Sequence, residues 1–177
     1  KFKKIDVIIN NAGISYFTKF ENRTNYELNS TLNTNLVGTI NVCRNYLKLH
    51  KVHKLKKCKI INIGSIYGLL SPDFNIYDKG DNINSEIYGA SKAAIIQFTK
   101  YLSVYGAKYN INVNCLSPGG ILNHKNKQKK KFINKYSNRV PLKRMANTSD
   151  FFTCILFLAS EKSSYVTGQN IVVDGGL

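Results

Sequence analysis

Residues 5–13 read IDVIINNAG: Ile5, Val7, Ile8 and Ile9 form an apolar run broken by one aspartate and halted by Asn10, Asn11, Ala12 and Gly13. A short, nearly continuous apolar run that ends in turn-forming residues predicts a β-strand buried on both faces, as in a parallel sheet. The pattern returns three times. Residues 59–63 (KIINI) stop at Gly64-Ser65, residues 111–116 (INVNCL) at Ser117-Pro118-Gly119-Gly120, and residues 170–173 (NIVV) at Asp174-Gly175-Gly176. Between these runs the period becomes helical. Residues 25–49 space Leu28, Leu32, Leu36, Val37, Ile40, Cys43 and Leu47 along one helix, and residues 86–108 do the same with Ala93, Ala94, Ile96, Phe98, Leu102 and Val104. Residues 150–159 predict a further helix capped by Ser149, and residues 130–136 a short one. Residues 66–85, with Pro72, Asp73, Asp78, Gly80 and Asp81, predict a surface loop. Strands alternating with helices predict an α/β fold around a doubly wound parallel sheet, with ligands bound at the carboxyl ends of the strands.

The composition agrees with one such domain. A chain of 177 residues, 43% of them hydrophobic, can bury one sizeable core. No apolar run approaches the length of a membrane span, and the apolar stretch near residue 5 is too short for a secretory signal, so a cytoplasmic protein without a membrane partner is expected. Cys43, Cys58, Cys115 and Cys154 are widely spaced with no C-x-x-C, which predicts reduced core thiols. The formal charge of +16 is compatible with nucleic acid or an anionic substrate. No RNA-recognition signature or zinc-finger spacing accompanies it, so no nucleic-acid partner is expected. His50, His53 and Cys58 fall in a lysine-rich stretch that reads as a solvated surface rather than a metal site.

The candidate chemistry sits where the runs end. Tyr88 and Lys92, in YGASK, are four residues apart at the start of a predicted helix, so both can lie on one face. In a chain with 11 tyrosines and many lysines, roughly one such pair arises by chance. Order adds what the pair lacks. Asn10-Asn11-Ala12-Gly13, then Asn35 in NTNLVG, Gly64-Ser65, Tyr88-x-x-x-Lys92, NVN with Pro118-Gly119, and finally VTGQNIVVDGG follow one another as in the short-chain dehydrogenase/reductase family, which the chain resembles from Ile5 to Leu177.

That resemblance implies a Rossmann-like NAD(P)-binding domain over residues 1–177, with a substrate loop at about 121–144, and an NAD- or NADP-dependent oxidoreductase that interconverts a ketone and a secondary alcohol. Tyr88 would be the acid/base, Lys92 its activator, Ser65 the carbonyl-orienting hydroxyl and Asn35 the anchor of a proton-relay water. Asn11, Ala12, Gly13, Tyr88, Lys92, Pro118, Gly119 and Ile121 would line the cofactor. A phenol loses its proton near pH 10, and a nearby ammonium would favour the phenolate. Relatives pair the helices at 25–49 and 86–108 into dimers or tetramers, which implies a homo-oligomer.

Three departures from the family pattern carry further expectations. Asn123 stands where the family often has threonine. No T-G-x-x-x-G-x-G occurs, so the resemblance places this chain from the fourth strand onward, with the first βαβ units, about seventy to eighty residues, outside it. A fragment of that kind would have doubtful activity alone. The stretch from Ser65 to Tyr88 is about ten residues longer than is usual, and its text SPDFNIYDKGDNINSE should shape the substrate pocket. SIYGLLSPDFNIY and NCLSPGGI resemble oxidoreductases of surface-sugar and flagellin-glycan biosynthesis, implying a sugar derivative as substrate. PLKRMAN with FLASEKSSYVTGQNIVVDGG resembles 3-oxoacyl-acyl-carrier-protein reductases instead, and an inactive truncated remnant is the third alternative. Lys125, Lys127, Lys129, Lys130 and Lys131 suggest an anionic substrate.

Overall fold

A computed structural model of the protein describes residues 4–53, 57–79, 83–123 and 128–177, the side chain of His53 excepted. Four strands, β1 (Val7–Asn10), β2 (Cys58–Ile63), β3 (Ile111–Pro118) and β4 (Asn170–Val173), pair in that order, all parallel. Five helices connect or follow them: α1 (Asn25–Leu32), α2 (Gly38–His53), α3 (Glu86–Ala107), α4 (Lys130–Arg139) and α5 (Phe152–Ala159). The parallel α/β sheet expected from the alternation of runs is therefore present.

The central strands earn their place by composition. β2 and β3 bury Cys58, Ile60, Ile111 and Val113 against Cys43, Tyr46 and Leu47 of α2 and Leu102 of α3. Further along the same strand, Cys115 packs on Ile95 and Ile96 of α3. Polar groups inside this core are paired. Asn10 Nδ2 donates to Asn62 Oδ1 at 2.8 Å, and Asn62 Nδ2 donates to Thr99 Oγ1 at 2.8 Å. Asn10 and Asn62 are register partners on adjacent strands. A one-residue slip of β1 would turn Asn10 to the opposite face and leave the buried Asn62 Oδ1 without its donor, at a cost above that of the lost bond.

Several sequence expectations need correction. β1 is not buried on both faces: Ile9 is 46% exposed, because β1 is an edge of the sheet among the described residues. The helix expected over 25–49 runs on to His53, and a π-helical turn at Asn33–Val37 divides it. Such a turn adds a residue per turn and re-aims its side chains; here it buries Asn35. His50 lies on that extended helix, buried beside the rings of Tyr46 and Tyr109, rather than in a solvated loop. The cap before α5 is Asn147, whose N–H donates to Asp150 Oδ2 at 2.7 Å, not Ser149, because a 3-10 turn at Thr148–Phe151 precedes the helix. The 66–85 segment is only partly surface: 3-10 turns at Ile66–Gly68 and Phe74–Ile76 send Ile66 and Ile76 into the interior.

The first of those turns presses against α3. A Cβ on Gly68 would sit 2.8 Å from Lys92 C and 2.9 Å from Ala93 N, backbone atoms that cannot swing aside. Gly68→Ala is expected to lower stability by about 1–3 kcal/mol, read as a lower Tm by circular dichroism. An unchanged Tm would mean that turn and helix are not in contact.

Candidate active site

The carboxyl ends of β1, β2 and β3 open on one cleft of about 650 Å³. Asn11 and Gly13 follow β1, Gly64 and Ser65 follow β2, and Pro118, Gly119, Gly120 and Ile121 end or follow β3; all line the cleft, together with Tyr88 and Lys92 from the first turns of α3. Ser85 caps α3, its Oγ accepting from the Tyr88 N–H at 3.2 Å. That cap sets where the helix starts, and so the direction in which Tyr88 and Lys92 point.

Lys92 is 5% exposed, and its Nζ donates to the Ile63 carbonyl at 2.7 Å. Burial holds its ammonium below the ordinary lysine range. An ammonium carries three donors, so donors remain for a ligand in the cleft. Burial, first, pushes the Tyr88 phenol up, and a hydrogen bond with Ser65 opposes it. The ammonium of Lys92 lies over the Tyr88 ring, 5.7 Å from its centre, while it is held by the Ile63 carbonyl. Ser65, 7% exposed, also accepts from the Tyr67 N–H at 3.1 Å, which fixes its hydroxyl toward the cleft floor.

Asn35 does not line the cleft. Its Oδ1 accepts from the Ile14 N–H at 2.8 Å, and its Nδ2 donates to Ile14 O and to Ser91 Oγ, each at 3.0 Å. Ser91 Oγ in turn donates to Tyr88 O at 2.7 Å. Asn35 thus clamps the chain after Gly13 to the turn that carries Tyr88. A point where a Cβ of Gly13 would sit lies 3.4 Å from Asn35 Oδ1 and 3.6 Å from Lys92 Nζ, so both polar atoms border the same small space. Ala12 is exposed and stands outside the lining. Asn123 does line it, its N–H donating to Gln128 Oε1 at 2.9 Å.

The rest of the wall draws Tyr77 and Asn84 from the stretch expected to shape the substrate pocket, Phe132 and Tyr136 from the expected substrate loop, and Phe17 and Tyr67, which were not anticipated. Tyr67 and Tyr77, with hydroxyls 3.1 Å apart, face the cleft with Phe17, Asn84, Phe132 and Tyr136. Tyr136 accepts from the Gly120 N–H at 2.6 Å, and a Cβ on Gly120 would strike its ring at 2.4 Å. These residues come from separate loops and α4, and no spacing in the sequence ties them together. The basic segment is described only in part. Lys125 and Lys127 lie outside the described residues, Lys129 lines the cleft, and Lys131 is paired with Asp78 at 3.0 Å. Among the described residues, no group of three His, Cys, Asp or Glu could hold a metal ion, and no helix is long and apolar enough to cross a membrane.

A parallel sheet whose strand ends gather a serine, a tyrosine and a lysine one helical turn beyond it is a doubly wound α/β arrangement with its ligand site at the strand ends. The family model described as enoyl-(acyl carrier protein) reductase matches residues 1–177. The chain belongs to the short-chain dehydrogenase/reductase family. It is 38% identical over 178 residues to the 3-oxoacyl-acyl-carrier-protein reductase FabG of Chlamydia trachomatis, covering 100% of this chain and 67% of that protein. A short-chain dehydrogenase of Leptospira borgpetersenii solved with bound NAD+ superposes with a TM-score of 0.89 at 47% identity, over 97% of this chain and 64% of that one. A gluconate 5-dehydrogenase of Burkholderia cenocepacia in complex with NADP and tartrate gives a TM-score of 0.85 at 30% identity, over 98% of this chain and 64% of that one. The chain therefore spans about two thirds of the length of these relatives.

The Ser65–Tyr88 contact is open to a direct check. Because it opposes the burial that raises the phenol, Ser65→Ala should move the titration of Tyr88 to still higher pH, read on the ring-carbon NMR signal that Tyr88→Phe removes. The raised phenol contributes stability that is complete below the unfolded value and declines as pH rises through the folded one. A Tyr88 midpoint unmoved by Ser65→Ala would show that the hydroxyl does not act on the phenol.

Proposed function

We propose that the chain carries the catalytic centre of an NAD(P)(H)-dependent oxidoreductase that interconverts a ketone and a secondary alcohol. The observation that carries this reading is the convergence of Ser65, Tyr88 and Lys92 on one cleft at the strand ends. The residues present suit a nicotinamide dinucleotide: the Lys92 donors remain available, and Asn11, Gly13, Pro118, Gly119 and Ile121 offer backbone and small side chains along one wall. Ala12 would contribute through its backbone alone. The dinucleotide, when bound, supplies or accepts the hydride at the reacting carbon; relatives with NAD+ and with NADP support either form.

The chain's own part is the proton and the oxygen. Tyr88 gives its phenolic proton to the carbonyl oxygen during reduction and takes it back during oxidation. Ser65 Oγ, held by the Tyr67 N–H, donates to the same oxygen as charge develops there. Lys92, fixed by Ile63, holds the sugar portion of the cofactor, and its charge favours the phenolate across that short gap. Asn35 Oδ1 and Lys92 Nζ border one space beside Gly13, suited to a relay water. Tyr88→Phe in the native protein should reduce kcat at least about 100-fold, with cofactor binding retained in calorimetry. Undiminished turnover would end this assignment. No turnover by the native protein on any ketone would instead favour the remnant reading.

Two substrate classes have support. The identity to FabG proteins favours a 3-oxoacyl group on an acyl carrier. The aromatic and amide wall of Tyr67, Tyr77, Asn84 and Gln128 favours a sugar derivative, since such a ring offers hydroxyls to the amides and a C–H face to the aromatics. Parallel kcat/KM measurements on acetoacetyl-acyl-carrier protein and on a keto-sugar separate them. We also place the protein in the cytoplasm, consistent with its four free cysteines. It is further assigned as a homo-oligomer, because Tyr101 and Val104 of α3 and Phe152 and Leu156 of α5 are exposed apolar groups at 63%, 80%, 58% and 68%. Val104→Glu with Leu156→Glu should lower the mass seen by light scattering; a native mass of one chain would refute the assembly.

A further inference from the structure

The loop that follows Ser65 and the helix α4 are joined by charge. Asp73 Oδ2 pairs with Arg139 at 3.1 Å, and Asp78 pairs with Lys135 at 2.9 Å and with Lys131 at 3.0 Å. Lys135 Nζ also donates to Asn75 O at 3.3 Å. Beneath these pairs lies an apolar seam in which Ile76 packs with Tyr136, Val140 and Met145, flanked by Tyr77 and Phe132. The Tyr77 and Phe132 rings meet at 5.3 Å. Loop and helix therefore form one body, and the face it turns to the cleft is the wall of Tyr67, Tyr77, Phe132 and Tyr136.

The charge of this body matters as much as its shape. On α4, two cations one turn apart would by themselves attract an anion to the body that carries Tyr77 and Phe132. Asp78, directly after the wall residue Tyr77, already occupies the space between them, and both lysines lower its affinity for a proton, Lys135 foremost. A substrate anion arriving there would have to displace a carboxylate tethered by the chain, which has a large effective concentration.

We propose that Asp78 is a positioning residue and an internal anion: its carboxylate fills the place between Lys131 and Lys135 that an anionic group would otherwise take, so the aromatic wall stays seated and this lysine pair is not where a substrate anion docks. This rests on the reading of the cleft as a carbonyl-reduction site. It narrows the expectation drawn from the lysine run, because Lys131 is engaged by Asp78 within the fold while Lys129 lines the cleft. Asp78 acts through Tyr77 and α4 and touches no reacting atom.

The test uses the native protein, Asp78→Asn, Asp78→Glu and the pair Lys131→Ala with Lys135→Ala. Inorganic sulfate binding is measured by calorimetry, and kcat and KM are measured on the neutral 3-oxo ester ethyl acetoacetate. Asp78→Asn should bind sulfate about 3- to 10-fold more tightly than the native protein, since two ion pairs are vacated. Asp78→Glu should behave as native, and the lysine pair should gain no sulfate binding. KM for the ester should rise by a similar factor in Asp78→Asn and in the lysine pair, with kcat little changed, because the wall loosens while Ser65, Tyr88 and Lys92 stay in place. Sulfate binding by Asp78→Asn no tighter than native, or equal gain in the lysine pair, would overturn the proposal. The calorimetric arm needs no turnover, so failure of the catalytic reading is seen separately, as an inactive native protein with the sulfate pattern intact.

Discussion

The hydrogen bond from Lys92 Nζ to the Ile63 carbonyl governs the geometry of this molecule. A buried ammonium is tolerated only with a partner, and here the partner is the last peptide of β2. The bond therefore fixes the rotation of α3 about its own axis relative to the end of the sheet. Tyr88, one turn earlier on the same face, is then brought over Ser65, which follows β2 by two residues. The same bond holds the ammonium to the strand while it lies over the Tyr88 ring.

Two polar ties keep the strand ends where that bond needs them. Asn10, Asn62 and Thr99 link β1, β2 and α3 through side chains, and Thr99 Oγ1 returns its proton to Ile95 O at 2.8 Å. Nearer the cleft, Asn35 clamps Ile14 and Ser91. Every member of each chain has partners, which is the condition under which a buried polar network rigidifies a core rather than weakening it. The π-helical turn at Asn33–Val37 belongs to this arrangement, since it delivers Asn35 to the interior.

Charge is arranged with equal economy. With 26 Lys+Arg and only 10 Asp+Glu, each carboxylate has many cations to choose from. Those the fold selects hold outer segments together: Asp73 and Asp78 tie the long loop to α4, and Asp150 takes both guanidinium nitrogens of Arg144, at 2.6 and 2.9 Å, ahead of α5. That pairing holds the Asp150 carboxyl at about 2. The excess positive charge thus says less about a partner than about which few acidic residues brace the fold.

The strands, their order of appearance, the long third helix and the spacing of Tyr88 and Lys92 were legible in the sequence, because each rests on local period or on spacing along one element; Ser65 joined them through the order of motifs that resembles the family. Ile9 was misread for the converse reason: whether an apolar strand is covered on both faces depends on its neighbours. The burial of Asn35 was set by the π-helical turn and that of His50 by the extension of α2 and the Tyr109 ring from a distant segment. Which aromatic residues meet in the wall, and the pairing of Lys131 and Lys135 with Asp78, were likewise decided only by the tertiary structure. Residues 67, 77, 132 and 136 meet because a loop and a helix far apart in the chain share one apolar seam and three ion pairs. Periodicity records what a residue's own element requires, whereas the identity of the partner across a cleft is a property of the packed chain.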